Sequence, residues 1–380
     1  MESSLRTPGQ LIQQLLDERG WTQQVLAAVL ACNKATISLI VAGKRDVDAQ
    51  LALTLEKIFG VPAERFMELQ KAYELSRARI TALPDPGLAR RAALFGALPV
   101  AEMAKRGWIQ VEDLKKLDKV EVALTRFFRA DAADGIPVLQ HAAKKTDASS
   151  AATPTQTAWL YRVKQIAEEM MVPRYSPTGL RSALPELRAL MNDPENTRHV
   201  PRLLMECGVR FAIVETIGDA KIDGACIWLN EDTAPVIALS MRFDRIDNFW
   251  FVLRHEIEHV LQGHGRGAMM LDVDIEGDGG GADPGTAAEE NVANAAAAEF
   301  CVPQEKLRKF VTVKAPFYPE RDMLGFARTL RVHPGIVAGQ IRRATRRYEL
   351  FTKHLVKVRS VVTSAATVDG WGDVVPVTTM

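Results

Sequence analysis

Hydrophobic residues recur three and four positions apart along much of the chain, which is the spacing of amphipathic helices. Over residues 8–78, polar capping residues and glycines divide this pattern into five short helices. The apolar positions expected in their common core are Leu11, Ile12, Leu15, Leu16, Val25, Leu26, Val29, Leu30, Ile37, Ile40 and Val41. The pattern therefore predicts a compact, all-α domain of five helices over residues 1–79.

The pattern changes after residue 79. Prolines and glycines interrupt residues 81–99, helical spacing returns over 100–130, and a stretch rich in Thr, Ser and Lys at 141–158 predicts an exposed linker. We therefore expect a helical connector and linker over residues 80–154. Beyond it, two helices precede three apolar runs of strand character, at residues 207–214, 225–229 and 236–239. These runs predict a small, mostly antiparallel sheet in an α+β domain.

A strongly apolar helix is predicted directly after the third strand. Asp247 or Asn248 offers a cap for its start, and Gly263 supplies a left-handed stop. The helix contains the motif His255-Glu256-x-x-His259, whose histidines lie four positions apart and project from the same face, where both can bind one metal ion. The spacing favours a zinc site. The alternative is a pair of histidines that are packed in the core for structural reasons.

A catalytic zinc ion keeps three protein ligands and a water molecule, so a third ligand is expected elsewhere in the chain. Glu290 fits because it shares a helix face with small residues, which allows the metal helix to approach closely. Glu289 and His264 are the competing candidates for this ligand. Glu256 would act as the general base on the water. Asn294, four residues after Glu290, could hydrogen-bond the far ring nitrogen of a ligating histidine. Manganese and iron also bind histidine nitrogen and carboxylate oxygen, so the site could hold either of them in place of zinc.

The combined pattern His255-Glu256-x-x-His259, then Glu290-x-x-Ala293-Asn294-x-x-Ala297-Ala298-Glu299-x-x-x-Pro303, resembles the ImmA/IrrE metallopeptidase family over about residues 155–310. The resemblance implies a zincin-like peptidase domain in which His255, His259 and Glu290 hold zinc and Glu256 activates water. Members cleave a partner repressor or trigger its loss. The chain departs from the family pattern at Ala296, where phenylalanine is common, and in a long acidic insert before the second motif.

The predicted first domain, residues 1–79, also resembles a known family. The run Trp21-Thr22-Gln23-Gln24-x-Leu26-Ala27, followed by Ala35-Thr36-Ile37-Ser38-x-Ile40-x-x-Gly43-Lys44-Arg45, resembles the helix-turn-helix of Xre/Cro-type regulators, above all the HigA-type antitoxin branch. This implies a recognition helix in the major groove of operator DNA. The expected DNA contacts are Gln23, Asn33, Lys34, Ala35, Thr36, Ser38, Lys44 and Arg45. Outward-facing Leu39 departs from the usual polar residue, and a helical module that binds protein is the alternative.

The composition excludes few classes of binding partner. The chain has 48 Lys and Arg against 47 Asp and Glu, a net charge of +1, so its overall charge carries no signal for nucleic acid. Four scattered cysteines without a Cys-x-x-Cys pair favour a reduced, cytoplasmic setting. No signal peptide or membrane-length apolar run stands in the sequence, so no membrane partner is expected. A homodimer on operator DNA is expected.

Two charged segments complete the pattern. Residues 272–290 hold seven acids and no Lys or Arg, which predicts a flexible acidic loop near the site. Residues 316–380 predict a basic helical extension, in which Arg342, Arg343, Arg346 and Arg347 form one cationic helix face. That face could contact DNA phosphate or the acidic loop, or could simply be solvated. His333, before Pro334, is expected to be a structural residue at a turn.

These observations predict a multidomain α+β protein, with a metallopeptidase domain over residues 155–315 between the connector and the basic extension. The expected function is a DNA-binding transcriptional regulator whose zinc-dependent peptidase cleaves or controls a partner regulatory protein, such as a repressor or toxin. The alternative is a HigA-type antitoxin or repressor in which the metallopeptidase-like domain is a sensor or is inactive.

Overall fold

The computed structural model describes residues 7–81, 87–131, 152–218, 220–266, 270–273 and 284–369. The chain forms two compact units, Met1–Pro86 and Gly87–Met380. The first boundary lies close to the one predicted at residue 79. The boundaries predicted at residues 154 and 315 fall inside the second unit, because the segments on both sides of them pack into common hydrophobic cores.

The first unit consists of five helices, as the apolar spacing predicted. Side chains of Thr7, Thr22, Asn33 and Asp48 each accept a backbone N–H in the first turn and so begin the first four helices. The helices are α1 (Pro8–Glu18), α2 (Gln23–Val29), α3 (Lys34–Val41), α4 (Ala49–Phe59) and α5 (Ala63–Thr81). Their core is lined by Leu16, Leu26, Ile37, Leu55 and Phe66, all fully buried.

Helix α2 buries fewer apolar residues than the sequence predicted. Leu26 faces the core, but Val25 and Val29 are 40% and 50% exposed, so the prediction that both are buried is wrong. The helix has only seven residues and presents one face to the core. Val25 and Val29, four positions apart, lie together on the outer face.

Within the described residues, no single helix is long and apolar enough to cross a membrane. Helices α2 and α3 meet that test only when taken together, as a pair bent by 117°.

The second unit contains twelve α-helices and five strands among its described residues. The helices are α6 (Leu88–Ala97), α7 (Val100–Lys105), α8 (Leu117–Phe128), α9 (Pro154–Glu169), α10 (Pro177–Ala189), α11 (Val200–Glu206), α12 (Ile246–Gln262), α13 (Pro284–Cys301), α14 (Gln304–Lys314), α15 (Glu320–Leu330), α16 (Pro334–Thr345) and α17 (Arg359–Val362). The strands are β1 (Arg210–Val214), β2 (Ile222–Leu229), β3 (Ala234–Leu239), β4 (Met270–Val273) and β5 (Thr367–Asp369). Short 3₁₀ segments span Leu190–Asn192, Pro194–His199 and Thr352–His354.

The five strands form one sheet in the order β4-β2-β3-β1-β5. Strand β2 is antiparallel to β3 and β4, whereas β1 is parallel to β3 and β5. The predicted α+β class is confirmed, but the sheet is evenly mixed and not mostly antiparallel. The difference arises because β1 pairs in parallel with β3, and because β5, from a distant part of the chain, pairs in parallel with β1.

Helices cover both faces of this sheet. Phe211 and Ile213 point into the core that contains α12, whereas Ala212 and Val214 point into the core that contains α8 and α9. Helix α9 therefore covers one sheet face, and the predicted connector shares its core and packs against α9 through α8. Trp159 anchors that cover, since its buried Nε1 donates a hydrogen bond of 2.9 Å to the backbone oxygen of Val214.

Helix α9 begins at Pro154, five residues before the start that the sequence indicated. Thr153 caps it in a capping box with Gln156, and a proline at the first position suits a helix start. The rest of the predicted linker, up to residue 151, and residues 274–283 of the predicted acidic loop lie outside the described residues.

The predicted cationic face of α16 is divided between the interior and the surface. Arg342 is buried and donates two hydrogen bonds, of 2.9 and 2.6 Å, to the backbone oxygen of Tyr348. The guanidinium of Arg343 lies 4.2 Å from the centre of the Phe251 ring. Arg346 and Arg347 alone are exposed, because α16 ends at Thr345 and the chain turns there. The prediction of one continuous cationic face is therefore wrong.

Candidate metal centre and nucleic-acid interface

Helix α12 carries the His-Glu-x-x-His motif through the interior of the second unit. It ends at Gly263, whose φ of 75° lies in the left-handed region, as predicted. Its cap is Arg245, so the prediction of a cap at Asp247 or Asn248 is wrong. Asp247 lies in the first turn, where its carboxylate receives two hydrogen bonds from Arg245 at 3.0 and 2.7 Å. An acid at this position is favourable for the helix dipole.

Every residue of α12 from Ile246 to Val260 is buried. His255, Glu256 and His259 are all 0% exposed. Three ionisable side chains within five residues of a buried helix would be costly without partners, and binding a metal ion is one way to offset that cost.

Helix α13 brings Glu290 to the two histidines. The Nε2 atoms of His255 and His259 lie 2.9 Å apart, and the Glu290 carboxylate oxygens lie 3.3 and 3.5 Å from them. Ala293 and Ala297, on the same side of α13, are fully buried, so small side chains allow this close approach.

The spacing of these donors fits a metal ion. Nitrogen and oxygen ligands bind zinc at about 2.0–2.2 Å, and in a tetrahedral site two ligand atoms are therefore about 3.3 Å apart. The three separations here, 2.9 to 3.5 Å, bracket that value. Among the described residues, this is the one group of three His, Cys, Asp or Glu side chains close enough to share an ion. Three donors leave a fourth position for water or substrate.

Glu256 lies against the main chain of β2, at Gly224. A Cβ atom on Gly224 would stand 2.2 Å from the Glu256 Oε1 atom, closer than any side chain could tolerate. The register between β2 and β4 shifts between Ile222 and Gly224, so a bulge lies at this point. The motif gave no indication of Gly224, although a glycine inside an apolar strand is a signal of close backbone approach.

The second acid of the motif segment, Glu258, has a different environment. Burial raises its pKa, but hydrogen bonds from Gln262 and Arg254 outweigh burial and hold the pKa below its ordinary value. Both hydrogen bonds measure 2.6 Å. Glu258 is therefore an ionised partner of Arg254.

The two competing ligands lie outside the donor cluster. His264 Nδ1 lies 3.0 Å from His259 Nδ1, on the ring nitrogen that faces away from Glu290. Glu289 lies 4.0 Å from the same His264 nitrogen. The Asn294 Oδ1 atom is buried and has no hydrogen-bond partner among the described residues. The far ring nitrogen of His259 is thus contacted by His264, for which the sequence analysis had considered only the role of a competing ligand.

The helix pair α2 and α3 forms the candidate nucleic-acid interface. Its bend of 117° lies in the range of helix-turn-helix motifs. Asn33 caps α3 and accepts hydrogen bonds of 2.8 Å from the backbone nitrogen and the hydroxyl of Thr36. Gln23 donates to Gln13 at 3.2 Å. These three predicted contacts therefore already have partners within the unit.

The remaining predicted DNA contacts are exposed. Lys34, Ala35 and Ser38 line the outer side of α3, together with Leu39, which is 44% exposed. Lys44 and Arg45 follow α3 and are also exposed. The polar side chains among them make no hydrogen bond or ion pair with another described residue, so they are available to bases and phosphates.

The fold and the donor set define the class: a helix-turn-helix unit joined to a metallopeptidase-like domain. More particularly, residues 12–66 match the family described as Helix-turn-helix, and residues 212–338 match the family described as IrrE N-terminal-like domain. The resemblances to the ImmA/IrrE family and to Xre/Cro-type helix-turn-helix regulators are thereby confirmed, whereas the HigA-type branch stays a prediction. No curated protein and no solved structure matches the chain. The two family matches support a DNA-binding regulator with a peptidase-like domain.

Proposed function

We propose that this chain is a transcriptional regulator whose second unit is a zinc-dependent peptidase acting on a partner regulatory protein. One observation carries the proposal: His255, His259 and Glu290 converge in the same buried site that holds Glu256. The exposed polar surface of α3 in the first unit supports operator DNA as the second partner.

The Nε2 atoms of His255 and His259 and the carboxylate of Glu290 are the groups that would hold the ion. A bound Zn²⁺ would polarise the scissile carbonyl and increase the acidity of water. Nitrogen and carboxylate donors of this kind also accept Mn²⁺ or Fe²⁺, so metal identity is part of the test.

Glu256 would take a proton from the attacking water and return it to the departing amine. Its carboxylate is held between α12 and the Gly224 position of β2, so its direction is fixed by packing. Glu258 cannot replace it, because it is engaged by Arg254 and Gln262.

The position of β4 supports a peptide substrate. Strand β4 pairs with β2 on one side, and among the described strands it is the last of the sheet on the other. An extended peptide can add to such an edge through backbone hydrogen bonds, largely independently of its sequence. Strand β4 lies between this edge and β2, so a bound peptide would lie two strand spacings, roughly 10 Å, from the Gly224 backbone that contacts Glu256.

In the first unit, Lys44 and Arg45 would bind phosphates, while Lys34 and Ser38 would meet base edges. The helix-turn-helix would act as a homodimer on an operator with two half-sites, in the cytoplasm.

Metal analysis of the purified full-length protein tests the metal centre first. We expect about one zinc ion per chain, lost when His255 or His259 is replaced by alanine. Proteolysis is tested next, by comparing proteins encoded beside this gene after incubation with wild type or Glu256→Gln. A wild-type protein that binds no zinc, manganese or iron would overturn the metal centre. A metal-loaded protein without any cleavage would overturn the peptidase.

A second candidate function is a HigA-type antitoxin or repressor, in which the metal site senses or stabilises. The complete burial of His255, Glu256 and His259 favours it, because a substrate must reach these groups. Gel-shift assays on the protein's own promoter, before and after chelation, separate the two. Operator binding that ignores the metal, with no cleaved neighbour, would favour the antitoxin.

A further inference from the structure

The turn after α12 brings His264 back to the metal helix. The His264 backbone nitrogen donates a hydrogen bond of 2.9 Å to the His259 oxygen, and its side-chain Nδ1 lies 3.0 Å from His259 Nδ1. The glycines on both sides, Gly263 and Gly265, have φ values of 75° and 77°. This left-handed backbone on each side of His264 gives the tight return that places its ring beside that of His259.

Strand β2 holds this turn in place. Trp228 Nε1 donates a hydrogen bond of 2.7 Å to the His264 backbone oxygen. The Trp228 ring is itself packed on two sides, with the Arg266 guanidinium 4.4 Å from its centre and the Tyr175 ring at 5.6 Å in an edge contact. The position of His264 is therefore fixed by a strand and by aromatic packing.

The protonation of the two rings follows from their geometry. His259 Nε2 points toward His255 and Glu290, so a metal ion would take that nitrogen, which leaves the ring proton on Nδ1. That N–H then donates to His264 Nδ1, which must be the unprotonated nitrogen of a neutral ring. A ligating histidine held in this way keeps its orientation and gains basicity.

We infer that His264 is the positioning residue for His259 in the proposed metal centre, the role expected from the sequence for Asn294. This inference rests on the proposed function, since it presupposes that the donors bind a metal ion. His264 does not itself reach the ion, because it stands on the side of the His259 ring that faces away from the donor cluster.

The test measures the Zn²⁺ affinity of full-length wild type, His264→Leu, His264→Asn and Asn294→Ala by competition with a fluorescent chelator. His264→Leu removes the acceptor, and we expect affinity to fall by about 10- to 100-fold. The Asn Oδ1 atom of His264→Asn can stand where Nδ1 stood, so affinity should be largely restored. Asn294→Ala tests the residue that the sequence favoured for this role, and its affinity should fall by less than that of His264→Leu. Equal affinity of wild type and His264→Leu would overturn the inference, as would a loss confined to Asn294→Ala.

A spectroscopic readout separates positioning from general stability. In the Co²⁺-loaded protein, the ring N–H protons of both ligating histidines give exchangeable, strongly shifted proton NMR signals. We expect His264→Leu to accelerate solvent exchange of one signal and His264→Asn to preserve both. Equal effects on both signals, together with a lower unfolding temperature of the metal-free protein, would assign His264 a structural role and overturn the inference.

The possible failures are distinct. A wild type that binds neither Zn²⁺ nor Co²⁺ would overturn the metal centre and this inference together. Tight metal binding that is insensitive to position 264 would overturn this inference alone. Intact metal binding without proteolysis would leave the positioning role supported and overturn only the peptidase activity.

Discussion

Lys34 and Ser38 stand on the exposed side of α3, while His255 and Glu256 stand on a helix that is buried along fifteen consecutive residues, Ile246 to Val260. In the first unit, the residues expected to act on a partner are separate from those that form the core. In the second unit, the residues expected to act belong to the helix around which the core is built.

This difference determines how each region responds to substitution. Removing an exposed side chain of α3 would remove a proposed contact with DNA and leave the core of the first unit intact. Any change in α12 or in the strand beneath it alters both packing and chemistry, because the same side chains serve both. Substitutions in the first unit should therefore be able to reduce function without reducing stability. Substitutions in α12 or the strand beneath it should change both.

The largest effect is expected for Glu256→Gln. The substitution keeps size and hydrogen-bonding shape but removes the proton acceptor, so turnover of a cleaved partner should fall by about 10²- to 10⁴-fold. Mass-spectrometric measurement of the cleavage product over time gives the rate. Zinc content and operator affinity of the same preparation serve as controls and should match wild type. Undiminished cleavage by this variant would show that another group accepts the proton.

A second test changes the strand beneath Glu256, the proposed general base. Gly224→Ala places a methyl group where 2.2 Å separates it from Glu256 Oε1, so the carboxylate must move. Because a 1 Å displacement of a catalytic group is costly, we expect turnover to fall by about 10²-fold with zinc affinity nearly unchanged. Gly325→Ala is the matched control, since a Cβ there meets no atom within 4 Å. Equal activity of the two variants would contradict the assigned position of Glu256.

A smaller effect is expected in the first unit. Lys44→Ala removes an exposed cation placed to meet phosphate, so operator affinity should fall about equally on all sequences. The slope of log affinity against log salt concentration should drop by about one. Fluorescence anisotropy at several salt concentrations measures both quantities. Thermal unfolding should be unchanged, and a lowered unfolding temperature would mean that function and stability are not separate in this unit.

The smallest effect concerns pH. Burial, with nearby His354 adding to it, lowers the pKa of His333 below its ordinary value. The unfolded chain therefore binds a proton at higher pH than the folded chain. The stability associated with the neutral ring should be present above about pH 6.5 and should be lost as the pH falls through the lowered pKa.

The His333 side chain also caps α16, accepting the Gly335 backbone N–H at 3.1 Å. His333→Asn preserves a capping oxygen without the titration. We expect the urea midpoint of wild type to fall more between pH 7.5 and 5.5 than that of this variant. Parallel pH profiles would show that His333 does not contribute to acid sensitivity.

Local patterns in the sequence were sufficient for most helices and for the residues of the donor cluster. Caps such as Asn33, the stop at Gly263 and the helix of Glu290 depend on neighbours within a few positions, so they could be predicted. The partners of each strand could not, because β4 and β5 are short and pair with residues far along the chain. One signal was available: β1 and β3 are apolar at nearly every position, which indicates a sheet covered on both faces.

The residues around the donor cluster were also hard to predict, because their contacts depend on distant parts of the chain. Helical spacing placed Asn294 beside Glu290, and it therefore became the expected partner of a histidine. The contact between His264 and His259 instead depends on the direction in which the chain leaves α12, which Gly263 and Trp228 fix together. Gly224 lies about thirty residues before Glu256 and is brought to it only by the packing of β2 against α12.

Strand β5 has a practical consequence for anyone who prepares fragments of this protein. It covers the outer edge of β1, and its Asp369 carboxylate, 2% exposed, receives hydrogen bonds of 2.8 and 3.1 Å from Arg162. A fragment cut at residue 338, where the family match ends, would open that edge and leave a guanidinium without its counterion. Open strand edges recruit other chains, so such a truncated product should precipitate, and the stable minimum must extend through residue 369.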